Sequence, residues 1–165
     1  MPSTSLNYSA LDSLAKKIES KAAHVGIYGL GYVGLPLALR FAEMGVKVTG
    51  FDIDQNKADI LNTGNSYIER ISSEQIVAAR AGGFTATTDF SHTAEVDAQI
   101  ICVPTPLDNH HQPDLSFVIN TVENILPHFR AGQLLSLEST TWPGTTDEII
   151  EPRMRSLGFT PGEDC

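Results

Sequence analysis

The sequence predicts an α/β fold of the Rossmann type: a doubly wound parallel sheet in a single domain. Three observations lead there. Short apolar runs alternate with stretches of helical periodicity along most of the chain, and strands separated by helices are joined by right-handed crossovers and lie parallel. Gly29, Gly31 and Gly34 stand in G-x-G-x-x-G spacing directly after the first apolar run. The 165 residues, 41% hydrophobic and 19% charged, suit one core and exclude a disordered or fibrous chain.

Residues 8–21, "YSALDSLAKKIESK", put Leu11, Leu14 and Ile18 on one helical face. They predict an amphipathic helical extension over 1–21, packed on the domain or on a partner, ahead of a domain over 22–165. Strands are expected at His24–Tyr28, Lys47–Phe51, Phe84–Thr87, Ala98–Val103 and Leu134–Glu138. Helices are expected at 33–44, 54–62, 73–81, 115–126 and 146–156. Pro36 falls in the first turn of its helix, where a missing N–H costs nothing. Gly45 follows that helix as a C′ residue. Asp114 suits an N-cap, and Thr145 with Glu148 has capping-box spacing.

The bulk properties exclude several functions. Net charge is −9 and the longest basic run is Lys16-Lys17, so no nucleic-acid partner is expected. The N-terminus lacks the pattern of a secretory signal, and no run approaches the about 18 apolar residues that span a bilayer. A cytoplasmic protein without membrane contact is expected. Cys102, inside "AQIICVPTP", reads as a small buried hydrophobe, and Cys165 is the last residue. Neither reads as catalytic. His110-His111 lie in a polar loop without further ligands at metal spacing, so no metal is expected.

The glycine stretch sits between "HVGIY", a buried-strand pattern, and the helical "VGLPLALRFAEMG". Gly29 allows the tight turn, Gly31 the approach of a pyrophosphate and Gly34 close helix–strand packing. The loop of Gly29, Leu30, Gly31, Tyr32, Val33 and Gly34 is therefore expected to cradle phosphates at the positive end of the helix dipole. The next strand ends at Asp52, about 20 residues on, where a carboxylate meets the ribose 2′-OH of NAD and repels the 2′-phosphate of NADP. Asp54 strengthens that bias. Lys57 either lies along the adenosine ribose or is a solvated helix-face lysine.

Two more strand ends carry hydroxyls. Thr105 stands between Pro104 and Pro106, at the carboxyl edge where open parallel sheets bind ligands; the alternative is a rigid loop that touches none. Glu138, Ser139, Thr140 and Thr141 follow an apolar strand, and Thr140 is expected to meet the nicotinamide half of NAD or a bound water. Thr146 is a further candidate.

Together "GLGYVGLPLA", "FDID", "SYIERI", "ATTDF", "CVPTPL…PDLSFV" and "LESTTWPGTT" resemble the N-terminal half of the nucleotide-sugar 6-dehydrogenases, the UDP-glucose/GDP-mannose dehydrogenase family. The likeness covers about residues 22–165. "SYIERI" and "LESTTWPGTT" are most similar to the UDP-N-acetyl-D-glucosamine 6-dehydrogenases of bacterial surface-polysaccharide pathways; UDP-N-acetylmannosamine, UDP-glucose and GDP-mannose dehydrogenases share most of the glycine motif. The resemblance implies oxidation of a sugar C6 alcohol to a carboxylate with two NAD+, through a cysteine thioester. It implies NAD contacts at the glycine loop, Asp52, Lys57 and Thr105, and Thr140 beside NAD, helping to hold a water. It also implies a homo-oligomer for the full-length protein.

The chain departs from the family where the chemistry is done. The nucleophile belongs to a G-G-x-C-x-P motif, whereas here Gly82-Gly83 is followed by Phe84. The family's catalytic lysine and S-P-E glutamate would lie beyond residue 165, and "LGFTPGEDC" stops where another strand is expected. The resemblance therefore implies a cofactor domain without turnover of its own. A stand-alone NAD-binding module acting as a redox sensor is the reading from a different class.

Overall fold

A strand flanked by parallel neighbours is covered on both faces, and β1 (His24–Tyr28) is buried at every position. The computed structural model describes residues 8–107 and 112–165; His110 and His111 lie outside the described residues. β1 pairs with β2 (Lys47–Phe51) on one side and β4 (Ala98–Ile101) on the other; β3 (Phe84–Thr87) and β5 (Leu134–Leu137) complete a parallel sheet of order β3-β2-β1-β4-β5. The chain winds outward from β1 to β3, then returns to start again at β4. The strand order thus reverses between β1 and β4, where doubly wound sheets open a crevice.

Side chains alternate across this sheet. Val25, Ile27 and Val48 face α2 (Gly34–Glu43), α3 (Gln55–Asn62) and α4 (Ser73–Ala81), in a core that includes Leu35, Ala38 and Ile76. Tyr28, Phe51 and Ile101 face α5 (Ser116–Ile125) and α6 (Glu151–Ser156), with Val118, Val122 and Ile150. Tyr28 and Phe51, register partners, stack with ring centroids 4.4 Å apart. Each buried Leu, Ile, Val or Phe contributes about 1.5–3 kcal/mol, so both faces carry the fold.

Several local expectations need correction. Thr145 and Glu148 form no capping box. Thr145 has helical backbone angles, and its buried hydroxyl donates to the Trp142 carbonyl at 2.7 Å. Residues 146–150 form a π-helical turn that runs into α6. The box occurs instead at Ser72 and Gln75, ahead of α4. Asp114 does accept the Ser116 N–H at 2.8 Å, but Leu115 stands between it and the helix start. Asp54 caps α3 by accepting the Asn56 N–H at 2.9 Å, so its carboxylate is engaged at a helix end. β4 ends at Ile101 and β5 at Leu137, short of Val103 and Glu138, although the Cys102 N–H still donates to the Tyr28 carbonyl at 2.7 Å and the Glu138 N–H to the Ile101 carbonyl at 2.9 Å. A 3-10 turn at Phe90–Glu95, capped by Asp89, was not expected from periodicity.

At the amino ends of β1 and β4, α1 (Tyr8–Glu19) is tied down by Lys17, whose Nζ lies 2.7 Å from Asp97 Oδ1. Leu14 is buried while Ile18 stays half exposed. Asp97 also accepts the His24 N–H and the Arg130 guanidinium, each at 3.0 Å. Among the described residues, no helix is long and apolar enough to cross a membrane.

Candidate cofactor site

Each glycine of the loop after β1 has a separate geometric cause. Gly29 has φ +93°, in the region that favours glycine, and a Cβ there would sit 2.9 Å from the Cys102 carbonyl oxygen. At Gly34 a Cβ would lie 1.8 Å from the Gly29 carbonyl oxygen, so α2 can approach the strand end only without a side chain. At Gly31 a Cβ would meet nothing within 4 Å, because that position opens on a cleft. Gly31, Tyr32 and Val33 donate their N–H groups to no other backbone group among the described residues. Three amides at the start of α2, in residues that line the cleft, are therefore left without a backbone acceptor among the described residues, the arrangement that binds phosphate oxygens.

Leu30 is placed differently. Its N–H donates to Asp52 Oδ2 at 2.9 Å, its carbonyl accepts the Tyr67 hydroxyl at 2.5 Å, and its side chain is fully buried. Leu30 and Gly34 thus build the loop from behind, while Gly31, Tyr32 and Val33 line the cleft.

Asp52, directly after β2, is almost completely buried. Its Oδ1 accepts the Asp54 N–H at 3.1 Å, and its Oδ2 takes Lys57 Nζ at 3.1 Å as well as Leu30. Lys57 is therefore not a freely solvated lysine: it folds back on the acid, with Nζ 5.9 Å from the centroid of the Tyr67 ring. Burial, followed by the charges of Asp52 and Asp54, pushes the Tyr67 hydroxyl well above its ordinary range, which keeps it a neutral donor to Leu30.

The cleft measures about 510 Å³ and runs along the carboxyl ends of β1, β2, β4 and β5, where the strand order reverses. Thr105 and Thr140 both line it. Ser139 donates to the Val103 carbonyl at 2.8 Å, pinning the end of β5 to the loop after β4. Thr146 lies elsewhere, in a smaller cleft with Leu134, Ile150 and Met154. Cys102 is buried at the cleft floor; burial, followed by Glu138, raises its thiol to about 11. Burial likewise raises the Cys165 thiol to about 12.

The cleft also includes residues that sequence reading did not assign: Glu138, Phe90, Phe117, Asn120 and Asn124. Glu138 was visible at a strand end. The α5 residues gave no local signal, because polar positions on a helix read as a solvated face. Amides and hydroxyls that bond to no described group, with a buried acid directly after the second strand between them in sequence, fit a dinucleotide.

The family profile described as "UDP-glucose/GDP-mannose dehydrogenase family, NAD binding domain" matches residues 23–159. UDP-N-acetyl-D-mannosamine dehydrogenase of Escherichia coli (strain K12) is 37% identical over 130 residues, which are 78% of this chain and 30% of that protein. UDP-N-acetyl-D-glucosamine 6-dehydrogenase of Pseudomonas aeruginosa is 35% identical over 145 residues, 87% of this chain and 34% of that protein. The crystal structure of NDP-N-acetyl-D-galactosaminuronic acid dehydrogenase from Methanosarcina mazei Go1 superposes with a TM-score of 0.80 at 34% identity, covering 92% of this chain and 35% of that one. The chain thus spans about a third of the length of these relatives. With the profile matched from the start of β1 to beyond α6, the chain belongs to the UDP-glucose/GDP-mannose dehydrogenase family and carries its NAD-binding domain.

Proposed function

We propose that the chain is the cofactor-binding part of a cytoplasmic, NAD-dependent UDP-N-acetylhexosamine 6-dehydrogenase. The motif resemblance favours UDP-N-acetyl-D-glucosamine as the sugar. Among relatives, the E. coli protein is named for the mannosamine epimer and the P. aeruginosa protein for the glucosamine. One observation carries the cofactor reading: a single cleft joins the free amides of Gly31, Tyr32 and Val33 to Asp52, Thr105 and Thr140.

In this reading the three amides hold the pyrophosphate, and Asp52 accepts a hydrogen bond from the adenosine ribose with a lone pair not used by its present partners. Lys57, held against Asp52, closes the ribose end. Thr105 and Thr140 lie along the nicotinamide half, and the Thr140 hydroxyl orients a water. When bound, NAD+ would supply a hydride acceptor for oxidation at sugar C6, one molecule for each of the two stages. The domain supplies position and exclusion of water, while the nucleophile belongs to sequence outside residues 1–165. The isolated chain therefore binds cofactor without turning over sugar.

Calorimetric titration with NAD+ and NADP+ tests the reading. Saturable binding of NAD+ with at least about tenfold weaker NADP+ is expected, since a charged hydrogen bond contributes about 1.5–3 kcal/mol. No saturable NAD+ binding, or NADP+ bound as tightly, overturns it.

A further inference from the structure

The α5 wall of the cleft carries chemistry that the loop, Asp52 and the two threonines leave unused. Phe117, Asn120, Thr121 and Asn124 all line the cleft from α5, and their spacing puts them on one helical face. Their polar groups are not equivalent. The Thr121 hydroxyl donates to the Phe117 carbonyl at 2.7 Å, whereas the exposed carboxamides of Asn120 and Asn124 bond to no described group. Most other polar side chains of the cleft are engaged: Asp52 with Lys57, Ser139 with the Val103 carbonyl, Glu138 with Ser136.

The cleft that these two amides line also carries apolar and aromatic side chains. Phe117 is 39% exposed on the same wall, and Ile53, directly after Asp52, is 75% exposed. Phe90 lines the cleft as well, packed on Tyr28 and Phe51 with ring centroids 5.8 Å from each. Unspent carboxamides and apolar rings lining one cleft with the acid that follows β2 suit a flat ring with a polar edge.

We propose that α5 reads the base of the dinucleotide, with Phe117 packed against the ring and the Asn120–Asn124 pair hydrogen-bonded to adenine's N6 and N7. This rests on the cleft being a dinucleotide site. A carboxamide offers an acceptor and a donor side by side, and adenine presents the complementary amine and ring nitrogen. Hypoxanthine carries an oxygen in place of that amine. The same edge then shows two acceptors, and a carboxamide oxygen is left without a donor. Asn120 and Asn124 are thus specificity-determining residues that select adenine over 6-oxopurines.

The test is titration of the 165-residue chain with NAD+ and with nicotinamide hypoxanthine dinucleotide, repeated for Asn120→Ala, Asn124→Ala and the double variant. The parent is expected to favour NAD+ by about tenfold. The double variant should bring that ratio close to one by weakening NAD+ while leaving the hypoxanthine analogue nearly unchanged. Phe117→Leu should weaken both ligands alike. Both asparagines are exposed, so the variants should keep the parent's melting temperature; Asn120→Ser and Asn124→Ser replace any that do not. A parent that binds both dinucleotides equally, or a double variant that keeps the full preference, overturns this inference alone. A parent that binds neither overturns the dinucleotide reading itself.

Discussion

The Leu30 N–H donates to the Asp52 carboxylate at 2.9 Å, so the turn after β1 and the acid after β2 form one unit. Asp52→Asn removes an acceptor from a carboxylate that serves Leu30, Asp54 and Lys57 together. One buried donor is left unsatisfied, a cost of about 1–3 kcal/mol, and melting should fall by about 2–4 °C for each kcal/mol. The preference for NAD+ over NADP+ should narrow in the same protein. Calorimetry on both cofactors, with a melting curve, checks both halves of the expectation.

Gly31 and Gly34 should separate binding from folding. Gly31→Val places its side chain in the open cleft, so the protein should fold normally and lose dinucleotide binding. Gly34→Ala drives a methyl group into the Gly29 carbonyl oxygen 1.8 Å away, and should cost about 1–3 kcal/mol or more of stability. Melting curves beside NAD+ titrations decide it. A Gly31→Val protein with unchanged affinity would show that the loop is only a turn.

Asp97 sets an acid limit on stability. Burial pushes its carboxyl up, but hydrogen bonds from Lys17, the His24 N–H and Arg130 outweigh that and hold it below the usual carboxylate range. A lowered folded-state pKa means that the unfolded chain binds the proton more readily. The contribution is therefore complete above the ordinary value of about 3.9 and is lost as pH falls through the depressed value. Urea unfolding of the parent and Asp97→Asn between pH 3 and pH 7 should show the parent's advantage shrinking at the acid end. Lys17→Met should lose part of it, since α1 is tied there.

Cys102 should be inert. With its thiol at about 11, about 0.1% is thiolate at pH 8, against roughly a quarter of a free cysteine. Alkylation by iodoacetamide at pH 8 should run at least about a hundredfold slower than in urea, and Cys102→Ala should keep NAD+ binding. The 165-residue chain should form no NADH from UDP-N-acetylglucosamine, whereas a chain extended through the G-G-x-C-x-P motif should form two per sugar. Turnover by the short chain at a comparable rate would refute that division.

The inner strands β1, β2 and β4 could be read from sequence because parallel strands covered on both faces leave near-continuous apolar runs, as in "HVGIY"; the edge strands β3 and β5 are partly exposed and show only as short apolar segments between helical stretches. The glycine loop, Asp52, Thr105 and Thr140 could be named because each follows such a run. What escaped depends on distance in sequence rather than pattern. Tyr67 reaches Leu30 across 37 positions and Ser139 reaches Val103 across 36, and neither contact leaves a trace in local periodicity. Phe117, Asn120 and Asn124 look like the outer face of a helix until the cleft is seen beneath them. The π-helical turn at 146–150 shifts the capping pattern that Thr145 suggested.

All four ladders of the sheet are parallel, so no paired strands are neighbours across a hairpin. β1, which carries the phosphate loop, lies between β2 and β4, and the His24 N–H meets Asp97 across 73 positions of chain. Loop-closure entropy must be met before those contacts return anything, which makes such topologies slow to fold. The crevice between β1 and β4 cannot exist until the second winding of the chain has docked on the first. On the folding pathway, affinity for a dinucleotide should therefore emerge late, with the closing of β4 onto β1.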